Sequence, residues 1–214
     1  MVERVTVAAL VQAGFEAVEE NGLSGLTMRD VAQRLGVKAP AIYWHLKSRR
    51  DLVNELATEM WRLINAEVTA GAVGLSAEES LVALAREVRR HALGRRDGAR
   101  LLAGTYLTDD TLLGDLQARP ELAGSAVEQQ GLITAYALVY SFVIGYVIEE
   151  QARRQAPERY SAELRAQRQG DPESVGLSTA VLDSSEERFE ELLGLIMTTV
   201  RRDLVLPSDG SRTG

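Results

Sequence analysis

Apolar residues recur three and four positions apart along most of the chain. Between residues 5 and 21 they occupy positions 7, 8, 10, 11, 15 and 18, on one face of a helix that ends at Asn21-Gly22. Runs in which apolar and polar residues alternate, as in a half-buried strand, are scarce. The pattern therefore predicts an all-α fold.

Capping signatures divide the rest of the chain into further helices. A Ser or Thr followed three residues later by Asp or Glu occurs at Thr27, Ser48, Ser76 and Ser184. With the apolar periodicity, these signatures predict helices over 27–36, 40–46, 48–68, 76–93, 97–104, 109–119, 126–153 and 185–205. A loop around a short helix near 162–168 is predicted over 155–182, and a disordered tail is predicted from 207.

The second and third predicted helices are joined by a tight turn that contains Gly36. Helices joined in this way form a helix-turn-helix, a common DNA-binding motif. We therefore predict a helix-turn-helix DNA-binding domain over 1–48 and a connecting helix over 49–70. A larger helical domain over 71–206 and a tail over 207–214 complete the chain.

Residues 132–148 form an uncharged, strongly apolar segment. The segment is short for a membrane helix of roughly 20 residues, and it contains Thr134 and Ser141. A helix buried on all sides in a bundle or subunit interface explains it better than a membrane span. With the predicted helix 185–205, it predicts a four-helix interface in a homodimer. The second helix would contribute Phe189, Leu192, Leu193, Ile196, Met197 and Val200.

The charge is distributed unevenly along the chain. The net charge of −7 argues against a nucleic-acid partner, yet residues 27–50 hold six basic residues and one acidic residue. The six are Arg29, Arg34, Lys38, Lys47, Arg49 and Arg50. This asymmetry indicates a basic module on an acidic body. Because the chain has no cysteine and begins without a secretory signal pattern, we expect a cytoplasmic protein.

The third predicted helix has two apolar faces. Ile42 and Leu46 lie on one face, and we assign them to the core because they are purely aliphatic. Pro40, Tyr43 and Trp44 lie on the other face. A helix this short cannot bury both faces against a three-helix domain, so we expect the aromatic face to be exposed.

The exposed face is flanked by basic residues, including Lys38 and Lys47. Rings beside cations suit the DNA major groove, where cations neutralise phosphates and ring edges contact bases. The alternative is that Tyr43 or Trp44 packs on a neighbouring helix, and for Tyr43 alone the two readings are equally well supported.

The run LTMRDVAQRLGVKAPAIYWHLKSRRDLVNELATEM over 26–60 resembles the DNA-binding domain of the tetracycline repressor (TetR) family. RRDGARLLAGT over 95–105 and GYVIEEQ over 145–151 are similar to the C-terminal domain of the tetracycline-repressor branch. The resemblance implies double-stranded operator DNA as the partner. It places DNA contacts on Thr27, Met28, Arg29, Ala39, Pro40, Ala41, Tyr43, Trp44, His45 and Arg49.

Two of these positions depart from the branch. Ala39 and Ala41 stand where the tetracycline repressors carry polar, base-reading side chains, which leaves Arg29 as the obvious bidentate reader of guanine. We therefore expect a different operator sequence.

The resemblance also implies an effector pocket in the C-terminal domain. Leu102 stands where the branch has its metal-binding His, and Asn65, Leu84, Val88 and Ser141 replace other drug contacts, whereas Thr105 and Glu149 match. Without that imidazole we expect no metal and no cofactor, and an effector that is mainly apolar.

The polar side chains lining this pocket would be Thr105, Ser141, Glu149 and either Tyr136 or Tyr140. Three alternatives stay open. Glu149 could be a solvated helix end, Tyr136 and Tyr140 could pack in the bundle, and Trp61 could be either a pocket wall or core filling.

These observations predict a homodimeric repressor that a small organic effector releases from a palindromic operator. An effector-independent regulator and a transcriptional activator of the same fold are the alternatives. An enzyme with an accessory helix-turn-helix is disfavoured, because no convincing nucleophile, metal site or acid–base pair is present. His91, in the basic run RRHALGRR, is expected to face solvent rather than act in catalysis.

Overall fold

The computed structural model describes residues 5–71, 75–105, 108, 126–155, 158 and 185–203. Within these ranges the chain is helical and contains no strand, which confirms the all-α prediction. The helices are α1 Val7–Gly25, α2 Met28–Arg34, α3 Ala39–Ile42, α4 Arg49–Gly71, α5 Ala77–Leu93, α6 Gly98–Leu102, α7 Ala126–Gln155 and α8 Glu186–Asp203. The predicted helices 109–119 and 162–168 and the tail 207–214 lie outside the described residues.

Side-chain caps set most of the helix starts. The hydroxyls of Thr27 and Ser48 accept hydrogen bonds from backbone N–H groups three residues later, each at 3.1 Å. Ser76 and Glu79 form a reciprocal capping box. At the start of α8 the Ser185 hydroxyl accepts a capping hydrogen bond from the N–H of Arg188 at 3.1 Å, whereas the predicted cap, Ser184, lies outside the described residues.

Two helix ends also differ from the predictions. Gly22 has φ 72° at the predicted end of α1, but one further turn follows it to Gly25. α3 ends at Ile42 instead of continuing to Leu46. The N–H groups of His45 and Leu46 both bond to the carbonyl of Ile42, which closes the helix into a turn.

α4 joins two parts of the molecule, which we call the head (α1–α3) and the body (α5–α8). Leu52 and Leu56 near its start are fully buried, and a Cβ on Gly14 of α1 would lie 3.1 Å from Leu56. Farther along, α4 packs on α5 and α6. One continuous core therefore runs from the head into the body.

α7 and α8 each bury one face within the chain. On α7 the buried face includes Val139, Val143 and Val147, whereas Ile133 and Leu138 on the other side are 55% and 41% exposed. α7 is therefore not buried on all sides by its own chain. Gln130–Gln155 is long and apolar enough to span a membrane, but one such helix is weak evidence for a membrane.

The apolar stripe predicted to form the α8 half of a dimer interface lies mostly inside the chain. Phe189, Leu193, Met197 and Val200 are at most 3% exposed. Leu195, which was not in the predicted set, is 60% exposed. The periodicity identified the apolar face correctly, but the chain's own α5 and α7 cover it.

Candidate nucleic-acid interface and effector site

The helix-turn-helix is built from α2, a turn and α3. Gly36 adopts φ 66° in the turn, a conformation that favours glycine, and the next N–H, of Val37, bonds back to the carbonyl of Ala32 at 3.0 Å. Lys38 precedes α3, and Pro40 lies in its first turn, where a missing N–H costs no hydrogen bond. The turn therefore fixes the direction of α3.

The two faces of α3 and its following turn lie as predicted. Ile42 and Leu46 are 0% and 5% exposed in the core, whereas Tyr43 and Trp44 are 43% and 82% exposed. Within this chain, therefore, neither ring packs into the core of the head. The Trp44 side chain therefore keeps about four-fifths of its surface in contact with water.

The remaining predicted DNA contacts fall into three groups. Exposed residues are Thr27, Arg29, Lys38, Pro40, His45, Lys47 and Arg49, and half-buried residues are Ala39 and Ala41. Met28 is a correction, because its side chain is 6% exposed in the core. Its apolar side chain packs inward from the first turn of α2, so only its backbone can face DNA.

Arg49 makes contacts within the protein that the sequence did not reveal. Its guanidinium donates to the carbonyl of Leu26 at 2.9 Å and to the carbonyl of Leu23. These bonds tie the α1–α2 connection to the start of α4. In this position Arg49 holds the α1–α2 connection against the start of α4. To bind a DNA phosphate as predicted, its guanidinium would have to share or break these hydrogen bonds.

Not all of the six basic residues counted between 27 and 50 contribute to this surface. Arg34 is paired with Glu20 and Asp30. The hydrogen bond that the Arg34 guanidinium donates to Glu20, opposed in part by desolvation, raises the pKa of Arg34 above its usual range. Lys47 lies beside the rings, and its ammonium donates to the carbonyl of Tyr43 at 3.2 Å.

Several predicted effector residues come together where α4, α6 and α7 meet. The rings of Trp61 and Tyr140 lie 5.6 Å apart, and Tyr136 stacks on Tyr140 at 6.2 Å. The hydroxyl of Tyr140 donates to the carbonyl of Leu102 at 2.9 Å, and burial raises the pKa of Tyr140. We call Trp61, Tyr136, Tyr140 and Leu102 the aromatic cluster.

Other predicted effector residues lie in the core or at the end of α6. Asn65, Leu84, Val88 and Leu102 are buried, at 7%, 4%, 1% and 1% exposure. The Thr105 hydroxyl donates to the carbonyls of Leu101 and Leu102, at 3.1 and 3.2 Å, so it caps the end of α6. The packing supports the interpretation of Trp61 and Tyr140 as core residues in this conformation.

Ser141 and Glu149 are corrections to the predicted pocket. Both are exposed on α7, away from the aromatic cluster's buried side. The Glu149 carboxylate faces solvent and lies 3.8 Å from Arg153, one turn later. This agrees with the alternative that Glu149 is part of a solvated helix end. The helical rotation between Tyr140 and these residues turns them outward, away from the buried side of α7.

The contact between head and body was not predicted. Asp97, in the turn before α6, accepts a hydrogen bond from the N–H of Leu23 at 2.8 Å. Arg96 donates to the carbonyl of Glu20 at 2.7 Å. Asp97 adopts φ 54°, which Asp tolerates better than most residues, and a Cβ on Gly98 would collide with the carbonyl of Ala92.

The Asp-Gly pair at 97–98 was a detectable signal for a tight turn. The α1 partners of Asp97 and Arg96 were not detectable, because they lie 74 and 77 residues away in sequence. The two regions of the molecule are thus linked both through α4 and through this turn.

An exposed aromatic face among cations, presented by a helix-turn-helix on an all-helical body, defines a DNA-binding regulator. Residues 10–56 match the family model of bacterial regulatory proteins of the tetR family, and residues 74–203 match that of the tetracyclin repressor-like C-terminal domain. The chain belongs to the TetR family. Members of this family are DNA-binding transcription factors, not enzymes.

Individual relatives agree with this assignment. The chain is 32% identical over 224 residues to the class A tetracycline repressor protein from transposon 1721 of Escherichia coli, covering 96% of this chain and 95% of the relative. It is 34% identical over 151 residues to the class D tetracycline repressor protein of Escherichia coli, covering 69% and 67%. A possible TetR family transcriptional regulator from Streptomyces coelicolor A3(2) superposes with a TM-score of 0.76 at 27% identity, covering 92% and 99%.

Proposed function

We propose that the chain is a cytoplasmic, homodimeric repressor that binds a palindromic operator and is released by a mainly apolar organic effector. The observation that carries the DNA-binding part is the exposure of Trp44 and Tyr43 beside Lys47. On this proposal the rings make apolar contacts in the major groove, and Arg29, exposed at the start of α2, contacts guanine.

The exposed faces of α7 and α8 support the dimer. Ile133, Leu138 and Leu195 are large apolar residues left in contact with water by their own chain. Gly145 and Gly194 on the same helices have no atom within 4 Å of an added Cβ, so a partner helix could approach closely there. A twofold dimer would present two α3 helices to successive major grooves about 34 Å apart.

The effector site is proposed at the aromatic cluster. Its walls are aromatic and aliphatic, and its polar groups are the hydroxyls of Tyr140 and Thr105, both of which bond to backbone carbonyls. Such a lining suits an apolar molecule with a few polar groups. Leu102, in place of a metal-binding imidazole, supports an effector other than a magnesium–tetracycline chelate.

Ser141 and Glu149 could contribute to an effector site only from the partner chain, because they lie on the exposed side of α7. Coupling between the sites would pass through α4 and through the Asp97 turn, which contacts both α1 and the start of α6. An effector that displaces this turn or α4 would change the separation of the two α3 helices. A coupling free energy of about 1–3 kcal/mol would suffice.

The test of DNA binding is selection of operator sequences from random duplex DNA by the purified chain. We expect palindromic sites bound by a dimer, with affinity that falls steeply as salt rises. Enrichment of sites without twofold symmetry, or a flat salt dependence, would contradict the proposal.

The selected operator then serves to screen small molecules for release. We expect apolar compounds to release the protein and tetracycline with Mg²⁺ to leave the complex intact. Release by the magnesium–tetracycline complex would overturn the effector assignment. A reporter gene behind the operator would separate repression from activation by the sign of the response.

A further inference from the structure

His91 lies between two carboxylates at the junction of α4 and α5. Glu87 is one turn earlier on α5, and Glu67 comes from the last turns of α4. One ligand atom from each of the three residues lies within 4.8 Å of the others. The His91 side chain is only 12% exposed, so the prediction that it faces solvent was wrong. The packing of α5 against α4 turns it inward.

A cation already occupies the centre of this group. The Arg90 guanidinium contacts the carboxylates of Glu67 and Glu87, and it lies 2.9 Å from Nε2 of His91. Arginine has no hydrogen-bond acceptor, so Nε2 must accept, which directs the imidazole lone pair into the group. Burial, followed by the nearby charges of Arg90 and Arg95, lowers the pKa of His91.

We propose that Glu67, Glu87 and His91 form a binding site for a divalent transition metal ion, with Zn²⁺ as the preferred ion. The ion would take the place of the Arg90 guanidinium, whose side chain is 54% exposed and has room to turn into solvent. Two carboxylates neutralise the ion's charge, and the imidazole favours zinc over Mg²⁺ or Ca²⁺, which prefer oxygen ligands.

This donor set has a recognisable geometry. A Glu and a His four residues apart share one helix face, and a third ligand from the adjoining helix completes three protein ligands around an open position for water. None of the three residues belongs to the proposed effector site or DNA-binding surface. The metal site and the proposed function can therefore be tested independently.

The ion would join α4 to α5 near the end of α4. Because the three ligands meet only in the folded chain, zinc would bind the native state preferentially and raise the melting temperature. The far end of the helix that leads to the DNA-binding head would be fixed to the body.

The experiment uses the full-length chain stripped with a chelator and then titrated with Zn²⁺ in competition with a chromogenic chelator. We expect one ion per chain and a rise in melting temperature. His91→Gln should weaken binding by at least about tenfold. The matched control is His45→Gln, which removes the chain's other, exposed His and should leave zinc binding unchanged.

Two more variants make the test independent of folding defects in His91→Gln. Glu67→Gln changes an exposed carboxylate and should also weaken zinc binding. Arg90→Gln removes the competing cation and should strengthen it. Equal zinc affinity in His91→Gln and the parent chain, or loss of binding in His45→Gln, would overturn the proposal, as would the absence of saturable zinc uptake by the parent chain.

Discussion

Two aromatic groups at helical spacing have opposite environments in this protein. Tyr43 and Trp44, at the end of α3, face water beside a lysine, and Trp44 is 82% exposed. Trp61, on α4, is 6% exposed and packs on Tyr140, whose hydroxyl bonds to a backbone carbonyl. The same residue types thus form an exposed face in the head and part of the core where α4 meets α7.

The difference arises from what each helix has to pack against. α3 is four residues long and already buries Ile42, so the small head has no second core to receive the rings. Trp61 lies on α4, which packs on α5 and α6, and its ring contacts Tyr140 of α7. The comparison predicts that substitutions in the two groups will affect different properties, DNA affinity in one and stability in the other.

The largest effect is expected from Tyr43→Ala combined with Trp44→Ala. We expect specific operator binding to fall by about a thousandfold or more, to the level of non-specific DNA, because the apolar base contacts are lost. The helical circular dichroism and unfolding midpoint should change little, since exposed side chains are removed. Fluorescence anisotropy with labelled operator measures the first, and urea unfolding the second.

Leu63→Ala is the matched control, because it removes an apolar side chain that is 36% exposed on α4. It should leave operator affinity unchanged. Retention of specific binding by the double variant would show that α3 is not the reading element.

Trp61→Ala should reduce stability rather than operator affinity. Removal of a buried Trp leaves a cavity beside Tyr140, and we expect a loss of about 3–5 kcal/mol in the free energy of unfolding. Urea unfolding at fixed protein concentration measures this loss. A loss below about 1 kcal/mol would indicate that Trp61 lines an open pocket rather than a packed core.

Asp97→Asn examines the contact that links the two regions. The substitution keeps a residue that tolerates positive φ and an amide oxygen that can accept the Leu23 N–H. It removes the carboxylate charge that strengthens this hydrogen bond, so we expect a loss of about 1–2 kcal/mol. Arg100→Gln is the control, because this 60% exposed side chain lies 3.7 Å from Asp97 and surface ion pairs contribute little. Equal effects of both variants on thermal unfolding would refute a role for the buried hydrogen bond.

The smallest expected difference is between two Tyr→Phe variants. Tyr140→Phe removes the hydrogen bond to Leu102 and should cost about 1 kcal/mol in unfolding free energy. Tyr43→Phe removes an exposed hydroxyl and should leave stability unchanged. If the two variants unfold at the same urea concentration, the Tyr140 hydrogen bond does not stabilise the body.

Much of the fold was predictable because its signals are local. A cap is formed by residues three positions apart, and Thr27, Ser48 and Ser76 all form the predicted hydrogen bonds. The faces of α3 were also local information, since spacing alone separates Ile42 from Tyr43 and Trp44. These features, with the charge around them, were enough to predict the helix-turn-helix and its exposed aromatic face.

The contacts that the sequence did not predict involve residues whose partners are distant in sequence. Arg49 bonds to carbonyls 23 and 26 residues earlier, and Phe189 of α8 is covered by its own chain rather than by a partner. Periodicity shows that a face is apolar or that a cation lies at a helix start. It does not show which element will cover the face or accept the hydrogen bond.

The sequence by itself determined where α2, α4 and α5 are capped, which sides of α3 and α8 pack inward, and that the N-terminal module is basic. Only the tertiary structure decided that His91 turns inward between Glu67 and Glu87, that Glu149 turns outward, and that Asp97 holds the head. The physical reason is that capping and periodicity act within one or two turns of helix, whereas burial and long-range hydrogen bonds depend on how whole helices pack.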